Sequence, residues 1–391
     1  MTGTAWPFAL EDPYPAYAAL RAAGAVHWVP ELDAYVAVSF DVAEHVLRSP
    51  VWSSEPGRGT AFADRFGPSG ASSGLMARSI LFEDGPAHAR LRRALGSWFT
   101  PRACEKLRAR VVSIVGSACD HLDPGAAVDL MSAVATAVPL AVMCELLDTG
   151  VDVASTLQIE TPRLIGLLDP TADEATRDAG ISAAVALMLE LVPLVAERRA
   201  DPGPDLLSHL CHHSDGLEPD EAVLMAITLL TAGHETTANL VGNGLATMAL
   251  LADRASALTS APEAMGPFLE ELLRYESPVQ LTMRTARATE TIGDVEVPQG
   301  RSVFVCIGAA NRDPAAFVDP DRFDMARPGR PHLAFGHGVH FCAGASLARL
   351  EASIILGTLL ERIPHLIERI GPPRRGTTPT FRRVETLTLE P

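Results

Sequence analysis

One cysteine of this sequence stands where a thiolate could be held. Residues 335–344 read Phe335-Gly336-His337-Gly338-Val339-His340-Phe341-Cys342-Ala343-Gly344, which sets Cys342 in a glycine-rich loop just before a helix. Backbone N–H groups and a helix N-terminus favour negative charge on sulfur and lower its pKa. Three glycines let the backbone come close to a flat ligand. A lone cysteine is more commonly a buried hydrophobe, so this loop by itself leaves both readings open. A second reactive pair is Glu235-Thr236, set in an otherwise apolar helical run with Leu224, Met225, Ile227, Leu229 and Leu230. A mid-helix threonine can simply bond back to the preceding turn. The carboxylate beside it is harder to set aside, because a buried acid is costly unless it is used or paired. Glu271 and Arg274, three apart, share one helical face; alone they would be a weak surface pair.

Other chemistries fail on the residues. The 32 basic residues comprise one lysine, Lys106, and thirty-one arginines. Lys106 lies between Glu105 and Leu107, so no phosphate-binding Gly-Lys-Ser/Thr loop exists, and a solvated helix face suits it better than Schiff-base work. His234-Glu235 begins a zinc-protease HExxH, but the second histidine position holds Ala238. Gly336-His337-Gly338 begins GxGxxG and ends on Phe341. Gly70-Ala71-Ser72-Ser73-Gly74 spells GxSxG, yet no apolar strand leads into it. His212-His213 reads as a surface pair. The six cysteines, at 104, 119, 144, 211, 306 and 342, form no CxxC and no tight cluster, which fits neither disulfides nor structural zinc.

The elements that must position these residues are mostly helical. Apolar residues recur at three- and four-residue spacing over Pro86–Leu95, Val128–Leu147, Gly180–Arg199 and Glu218–Leu251. Asp169-Pro170 and Asp201-Pro202-Gly203-Pro204 break the pattern. Residues 53–80, rich in Gly and Ser, predict a long mobile loop of the kind that carries function. Beyond residue 278, Thr291–Val297 predicts a hairpin, Arg301–Cys306 a strand, Ala345–Arg362 a helix and Val384–Leu389 a closing strand. Residues 311–344 have little periodicity, and so long an irregular stretch normally exists to hold something. No Gly/Ser linker separates two units, so residues 1–391 predict a single, mostly α domain with a small β portion. Of the residues, 47% are hydrophobic, which supports a large core, and the net charge of −16 argues against nucleic acid or an anionic membrane. The longest runs free of Asp, Glu, Lys, Arg and His, Leu130 to Cys144 and Thr236 to Ala252, fall short of the ~20 apolar residues that span a bilayer. The N-terminus lacks a basic and an apolar region, predicting no signal peptide and a cytoplasmic protein.

Taken together, the motifs resemble the cytochrome P-450 family. The cysteine loop is similar to its haem signature FGxGxHxCxG, Ala232-Gly233-His234-Glu235-Thr236-Thr237 to its oxygen-activating motif, and Glu271-Leu272-Leu273-Arg274 to ExxR. His88 with Arg92 matches HxxxR, and Asn311-Arg312-Asp313-Pro314 and Pro320-Asp321-Arg322-Phe323 match the approach to the cysteine loop. The order is the family's, over most of the chain. The resemblance implies the P-450 fold, with haem b (iron protoporphyrin IX) between the long central helix and the cysteine loop. It implies Cys342 as axial iron ligand, with Phe335, Gly336 and Gly344 shaping the loop and Phe335 limiting water at the sulfur. His88, Arg92, Arg284 and His340 would hold the haem propionates, a task suited to arginine's planar fork. Glu235 and Thr236 would deliver protons during oxygen activation, and Ala232 and Gly233 would leave space above the iron. Glu271 and Arg274 would meet a further arginine, Arg322 or Arg327, to lock the cysteine loop. Thr228, Thr231, Gln280, Leu281, Thr282 and Phe381 would line a substrate pocket.

The family's activity would be insertion of one oxygen atom from O2, as hydroxylation or epoxidation of a small organic molecule. Oxidative coupling or ring closure on the same centre is the alternative. A haem-binding module that has lost oxygen activation is the other, against which the intact Glu235-Thr236 pair argues. Scarce lysine points to a high-GC genome such as an actinomycete's, and so to tailoring of a polyketide, macrolide, terpenoid or peptide. Without a flavin or nicotinamide segment, electrons must come from outside. Residues Pro86 to Arg110 carry seven basic residues (Arg90, Arg92, Arg93, Arg102, Lys106, Arg108 and Arg110) against Glu105. This predicts a docking patch for an acidic ferredoxin served by its reductase.

Overall fold

The computed structural model describes residues 11–56, 78–123, 125–213, 216–251, 258, 261–328 and 330–391. The predicted loop at 53–80 and the GxSxG stretch fall largely or wholly outside them. At the centre lies the helix Pro219–Leu250, ~48 Å long at 1.5 Å per residue. Pro219 occupies the first turn, where its missing N–H is no loss. A capping box closes the start: the Glu218 N–H donates to the Glu221 carboxylate at 3.0 Å. Apolar residues surround this helix on every side, so it must be buried all round. Helices Ala137–Leu147, Glu174–Ala200, Met265–Tyr275 and Ala345–Arg362 pack against it.

Two helical predictions change in detail. Val128–Leu147 opens as a two-residue strand, Val128–Asp129, continues as a π-helical segment, Met131–Thr136, and becomes α-helical only from Ala137. The strand arises because Thr388–Leu389 pairs with it, a partner invisible to local periodicity. Glu174–Ala200 is, by length and composition, long and apolar enough to cross a membrane, which the search for uncharged runs misses because Glu190 interrupts it. In the fold Leu187, Leu191 and Val195 are buried, and Glu190 accepts from Thr156 of the adjacent helix Gly150–Ile165 at 3.4 Å.

The β portion is larger than the sequence predicts. Strands Val26–Val29, Ala34–Ala37, Ser302–Cys306, Leu281–Ala286 and Trp52–Ser53 form one sheet in that order. Ala34–Ala37 pairs parallel to Ser302–Cys306, while the other neighbours pair antiparallel. The early strands have four residues or fewer, too short for an alternation to register. The predicted hairpin forms, Glu290–Ile292 against Val295–Val297. The closing strand instead splits at Leu387: Val384–Thr386 pairs with Arg374–Arg375, and Thr388–Leu389 with Val128–Asp129. Residues 311–344 contain no helix or strand apart from the short 3-10 turn Gly338–His340 among the described residues.

Polar struts hold that irregular stretch. Arg274 donates to both oxygens of Glu271 at 2.8 Å each, and to the carbonyls of Asn311 (2.9 Å), Pro320 (2.8 Å) and Arg322 (3.3 Å). Arg327 completes the network through its side chain, with Nε 3.2 Å from Glu271 Oε1. Arg322 takes part only as a backbone acceptor, also receiving Arg327 Nη2 at 2.7 Å. Spacing alone could not choose between the two arginines; the turn that carries Asp324 N–H to Glu271 Oε1 (2.8 Å) brings Arg327 round. Asn311 then reaches forward, its Oδ1 accepting from Leu333 N–H at 2.8 Å, two residues before the cysteine loop.

Candidate active site

The cysteine loop is a closed turn. Cys342 N–H donates to Phe335 O at 2.9 Å, Gly336 N–H to Leu333 O at 2.8 Å and Phe341 N–H to Gly338 O at 3.1 Å. Gly336 and Gly338 both have φ of +71°, a region other residues rarely adopt. Gly338 has a second reason to lack a side chain: a Cβ there would lie 2.7 Å from the carbonyl oxygen of Leu47. The loop therefore rests directly on the backbone of helix Phe40–Arg48. Arg349 lies over the Phe335 ring at 4.4 Å, covering the loop from the following helix.

Cys342 is exposed by surface, unlike the other five cysteines, yet burial pushes its thiol upward. Both hold if its accessible face opens onto a hollow inside the protein, and the central helix supports this reading. Ala232 is exposed and Gly233 and Thr236 half-buried in the middle of an otherwise buried helix. Backbone N–H groups of Gly344 and Ala345 and the charges of Arg92 and Arg349 pull the thiol pKa down, as the loop chemistry predicts. Burial outweighs them in the protein alone, so a bound cation is needed to hold the thiolate.

Around the hollow stand the four predicted anion binders. His88 and Arg92 are one turn apart on helix Gly85–Gly96. The His88 ring lies 4.0 Å from that of His340, centroid to centroid. His88 is lowered to about 4, first by burial and then by the positive fields of His340 and Arg92, with Arg284 adding to them. Arg284 is buried and lowered to about 10 by desolvation. Its guanidinium donates to Met283 O (2.7 Å) and Thr282 Oγ1 (3.3 Å) and, like Arg92, meets no carboxylate within ion-pair distance among the described residues. A buried guanidinium without an acid is expensive. Asp84 is the internal carboxylate of the cluster, accepting from His340 (3.1 Å), Arg287 (2.8 Å), Ser54 N–H (2.9 Å) and Ser53. Sequence reasoning missed it, because an isolated Asp before a helix reads as a cap. The donor set has more positive charge than anions, and two carboxylates of a flat ligand beside Cys342 would fit it.

On the opposite wall Thr236 Oγ1 donates to Ala232 O at 2.6 Å, the back-bond that its mid-helix position permits. Its hydroxyl oxygen is thus presented as an acceptor. Glu235 is buried beside it and accepts from Asn239 Nδ2 at 3.3 Å. Gly233 also serves a packing purpose that the sequence did not show. A Cβ there would lie 2.8 Å from Met143 Sδ, so the glycine lets helix Ala137–Leu147 approach, and the neighbouring Ala232 is the more exposed of the two.

The substrate-lining predictions fare unevenly. Gln280 is overturned: buried in the core, it accepts from Tyr17 Oη at 3.1 Å and donates to Ser277 O at 2.7 Å. It also occupies the space where Gly308 has no side chain. Thr228 and Thr231 are buried and spend their hydroxyls on Leu224 O (2.8 Å) and Ile227 O (2.7 Å). Leu281 and Thr282 lie on strand Leu281–Ala286 next to Arg284, and Phe381 is buried and bridges to Val279. The basic segment is also less free than its composition implies. Arg90 pairs with Glu221, Arg108 with Glu105 and Arg110 with Glu145.

A thiol loop, two guanidinium groups with no ion-paired acid among the described residues and an acid–alcohol pair across one hollow fit a haem-thiolate enzyme. The chain belongs to the cytochrome P-450 family, whose model matches residues 265–379. It is 38% identical over 371 residues to PikC, a cytochrome P-450 monooxygenase of Streptomyces venezuelae, covering 92% of this chain and 86% of that one. It is 35% identical to 6-deoxyerythronolide B hydroxylase of Saccharopolyspora erythraea, covering 91% and 89%. Among solved structures it resembles P-450 BioI in complex with an acyl carrier protein ligated to hexadec-9Z-enoic acid, with a TM-score of 0.89 and 31% identity over 97% of this chain and 98% of that one. The protein is accordingly a haem-dependent monooxygenase.

Proposed function

We propose that the protein binds haem b with Cys342 as the axial iron ligand and oxidises a natural-product scaffold, a macrolide or other polyketide being the favoured class. The single observation that carries the haem assignment is the buried guanidinium of Arg284, which acts on His88 beside the cysteine-loop His340 and has no carboxylate within ion-pair distance among the described residues. When bound, the haem supplies oxygen activation, which its thiolate ligand promotes. The chain's own residues do the rest. His88 and Arg92 would hold one propionate and Arg284 and His340 the other, with Asp84 orienting His340. Gly336 and Gly338 let the loop backbone lie close to the ring, and Phe335 with Arg349 keeps water from the sulfur. Glu235 carries protons toward the hollow, and Thr236 offers its oxygen as the acceptor there. The macrolide and polyketide class rests on the relatives named above, which carry the preference over terpenoids and peptides.

We read residues 1–391 as one cytoplasmic folding unit served by a ferredoxin and its reductase. Arg90, Arg108 and Arg110 of that segment have acidic partners, and we place the docking surface on Arg102 and Lys106. The carbon-monoxide difference spectrum of the reduced protein tests the centre. Wild type should give the red-shifted Soret band of a thiolate ligand, and Cys342→Ser should lose it; an unshifted band in wild type refutes the assignment. Spin-state shifts across a panel of macrolactones, terpenoids and cyclic peptides then separate the substrate classes.

A further inference from the structure

Helix Glu174–Ala200 is apolar on two faces and spends only one of them on the core. Ala183, Ala184, Leu187, Leu191 and Val195 are buried inward, yet only 33% of its apolar 18-residue window is buried. Val185, Leu189 and Val192 are exposed, Leu189 at 72%. Asp178 and Ser182 before them and Ala196 and Arg199 after them are exposed as well. From Asp178 to Arg199 the steps along this outer seam alternate four and three residues, the spacing by which one helix packs along another. Helix Gly150–Ile165 runs antiparallel beside it, with Thr156 bonded to Glu190 and Asp148, just before that helix, bonded to Arg198. It widens the patch with Val151, 80% exposed, and Ile159. A continuous exposed apolar patch of this kind marks an interaction surface.

The ends of the seam carry opposite charge, and they do so symmetrically. Asp178 stands eleven residues before Leu189 and Arg199 ten after it, ~16 Å and ~15 Å along the axis at 1.5 Å per residue. Arg199 gives one N–H to Leu217 O at 3.1 Å, but neither it nor Asp178 has an ion-pair partner among the described residues. The seam positions between them are uncharged. A second copy turned end over end about a two-fold axis at Leu189 brings each Asp178 to the Arg199 end of the other seam and lays Val185 near Val192. A parallel pairing would instead set like charges together, which is costly. A two-fold contact uses the same patch on both molecules, so the seam is its own complement. A strip ~32 Å long and ~15 Å wide, one helix and the rim of its neighbour, comes to on the order of 1,000 Å² over two copies, the lower bound of a specific interface and the range of reversible association. A membrane suits this face less well. The two helices hold no lysine and no aromatic residue to sit among headgroups, and the inward face ties them to the core.

We propose that the outer face of helices Glu174–Ala200 and Gly150–Ile165 is the interface of a reversible antiparallel homodimer. Leu189 lies at its centre, and an ion pair between Asp178 of one copy and Arg199 of the other closes each end. The interface stands apart from the haem site and does not depend on how that site is read.

The test uses the full-length, haem-loaded protein. Sedimentation velocity from low micromolar to several hundred micromolar should show monomer passing into dimer as concentration rises. Leu189→Asp should stay monomeric throughout and keep the wild-type haem spectrum, since the residue it replaces is exposed. Asp178→Arg sets like charges together at both ends and should weaken the dimer about tenfold. Arg199→Asp should do the same, and the double variant Asp178→Arg/Arg199→Asp should restore wild-type association. Leu189→Cys should cross-link to itself through a short bismaleimide, whereas Val318→Cys, 80% exposed elsewhere, should not. The cross-link decides the case if Arg199→Asp lacks the wild-type haem spectrum. A wild type that is monomeric at every concentration overturns the proposal, as does a dimer that survives Leu189→Asp. Failure of the double variant to restore association, with its haem spectrum intact, overturns the antiparallel arrangement. If the wild type stays monomeric yet floats with phosphatidylcholine vesicles, and Leu189→Asp does not, the face is a membrane contact and the dimer is refuted.

Discussion

Cys306 and Cys342 have the same side chain and opposite surroundings. Burial pushes Cys306 to about 12, and nothing near it is positive enough to make it reactive. Cys342 is also raised by burial, but its accessible face and the nearby Arg92 and Arg349 leave it ready for a cation. His88 shows the same competition from the basic side. Its folded-state pKa, about 4, lies below the ordinary 6.5, so as pH falls the unfolded chain takes up this proton first. The stability it confers is complete above pH 6.5 and is lost as pH falls toward 4. For the haem-free protein we expect on the order of 3 kcal/mol at most from this residue. Urea melts across that range should show it, and His88→Gln should flatten the acid limb. Arg284→Met should move two properties in opposite directions. It removes an unpaired buried charge, so the haem-free protein should melt higher by about 1–4 kcal/mol in stability. Haem transfer to apomyoglobin should meanwhile be faster. A variant that melts lower and keeps its haem would refute the propionate role.

Between residue and fold, the irregular stretch 311–344 is held by side chains instead of by a sheet ladder. Glu271 receives Arg274, Arg327 and the Asp324 N–H. Removing its charge leaves two guanidinium groups uncompensated, Arg274 fully buried and Arg327 largely so. Glu271→Gln should therefore cost about 3–5 kcal/mol, read by denaturant unfolding. Gly338→Ala would test how tightly the cysteine loop rests on helix Phe40–Arg48, since both the positive φ and the 2.7 Å approach to Leu47 O oppose a side chain. It should expel haem faster while leaving far-ultraviolet circular dichroism unchanged. Much of this was legible in the sequence. The cysteine loop, the acid–alcohol pair and the Glu271–Arg274 strut all depend on short-range spacing along one helix or loop. What stayed hidden depends on contacts distant in sequence. The strand Ala34–Ala37 exists because residues near 303 pair with it and Val26–Val29 adds to its other edge, Gln280 faces inward because Tyr17 meets it, and Gly233 answers to Met143.

Across the whole molecule, the net charge of −16 makes any basic surface local. With Arg90, Arg108 and Arg110 neutralised by partners, the attraction for an acidic donor falls to fewer cations than composition implies. Reduction by ferredoxin should slow steeply between low and physiological salt. Arg102→Glu should slow it more than Arg108→Glu, measured by stopped-flow. Equal effects would show that the ion pairs do not matter. The sheet has a consequence of a different kind. Its strand Ala34–Ala37 lies between Val26–Val29 and Ser302–Cys306, and the anion cluster draws on positions 84, 88, 92, 284 and 340. On a ribosome, the first fifty residues emerge long before their pairing partner is made. At roughly 5–20 residues per second, they wait on the order of ten seconds or more for residue 303 to appear. Haem capture is therefore scheduled near or after chain release, and the early strands need shielding from stray edge pairing during the interval.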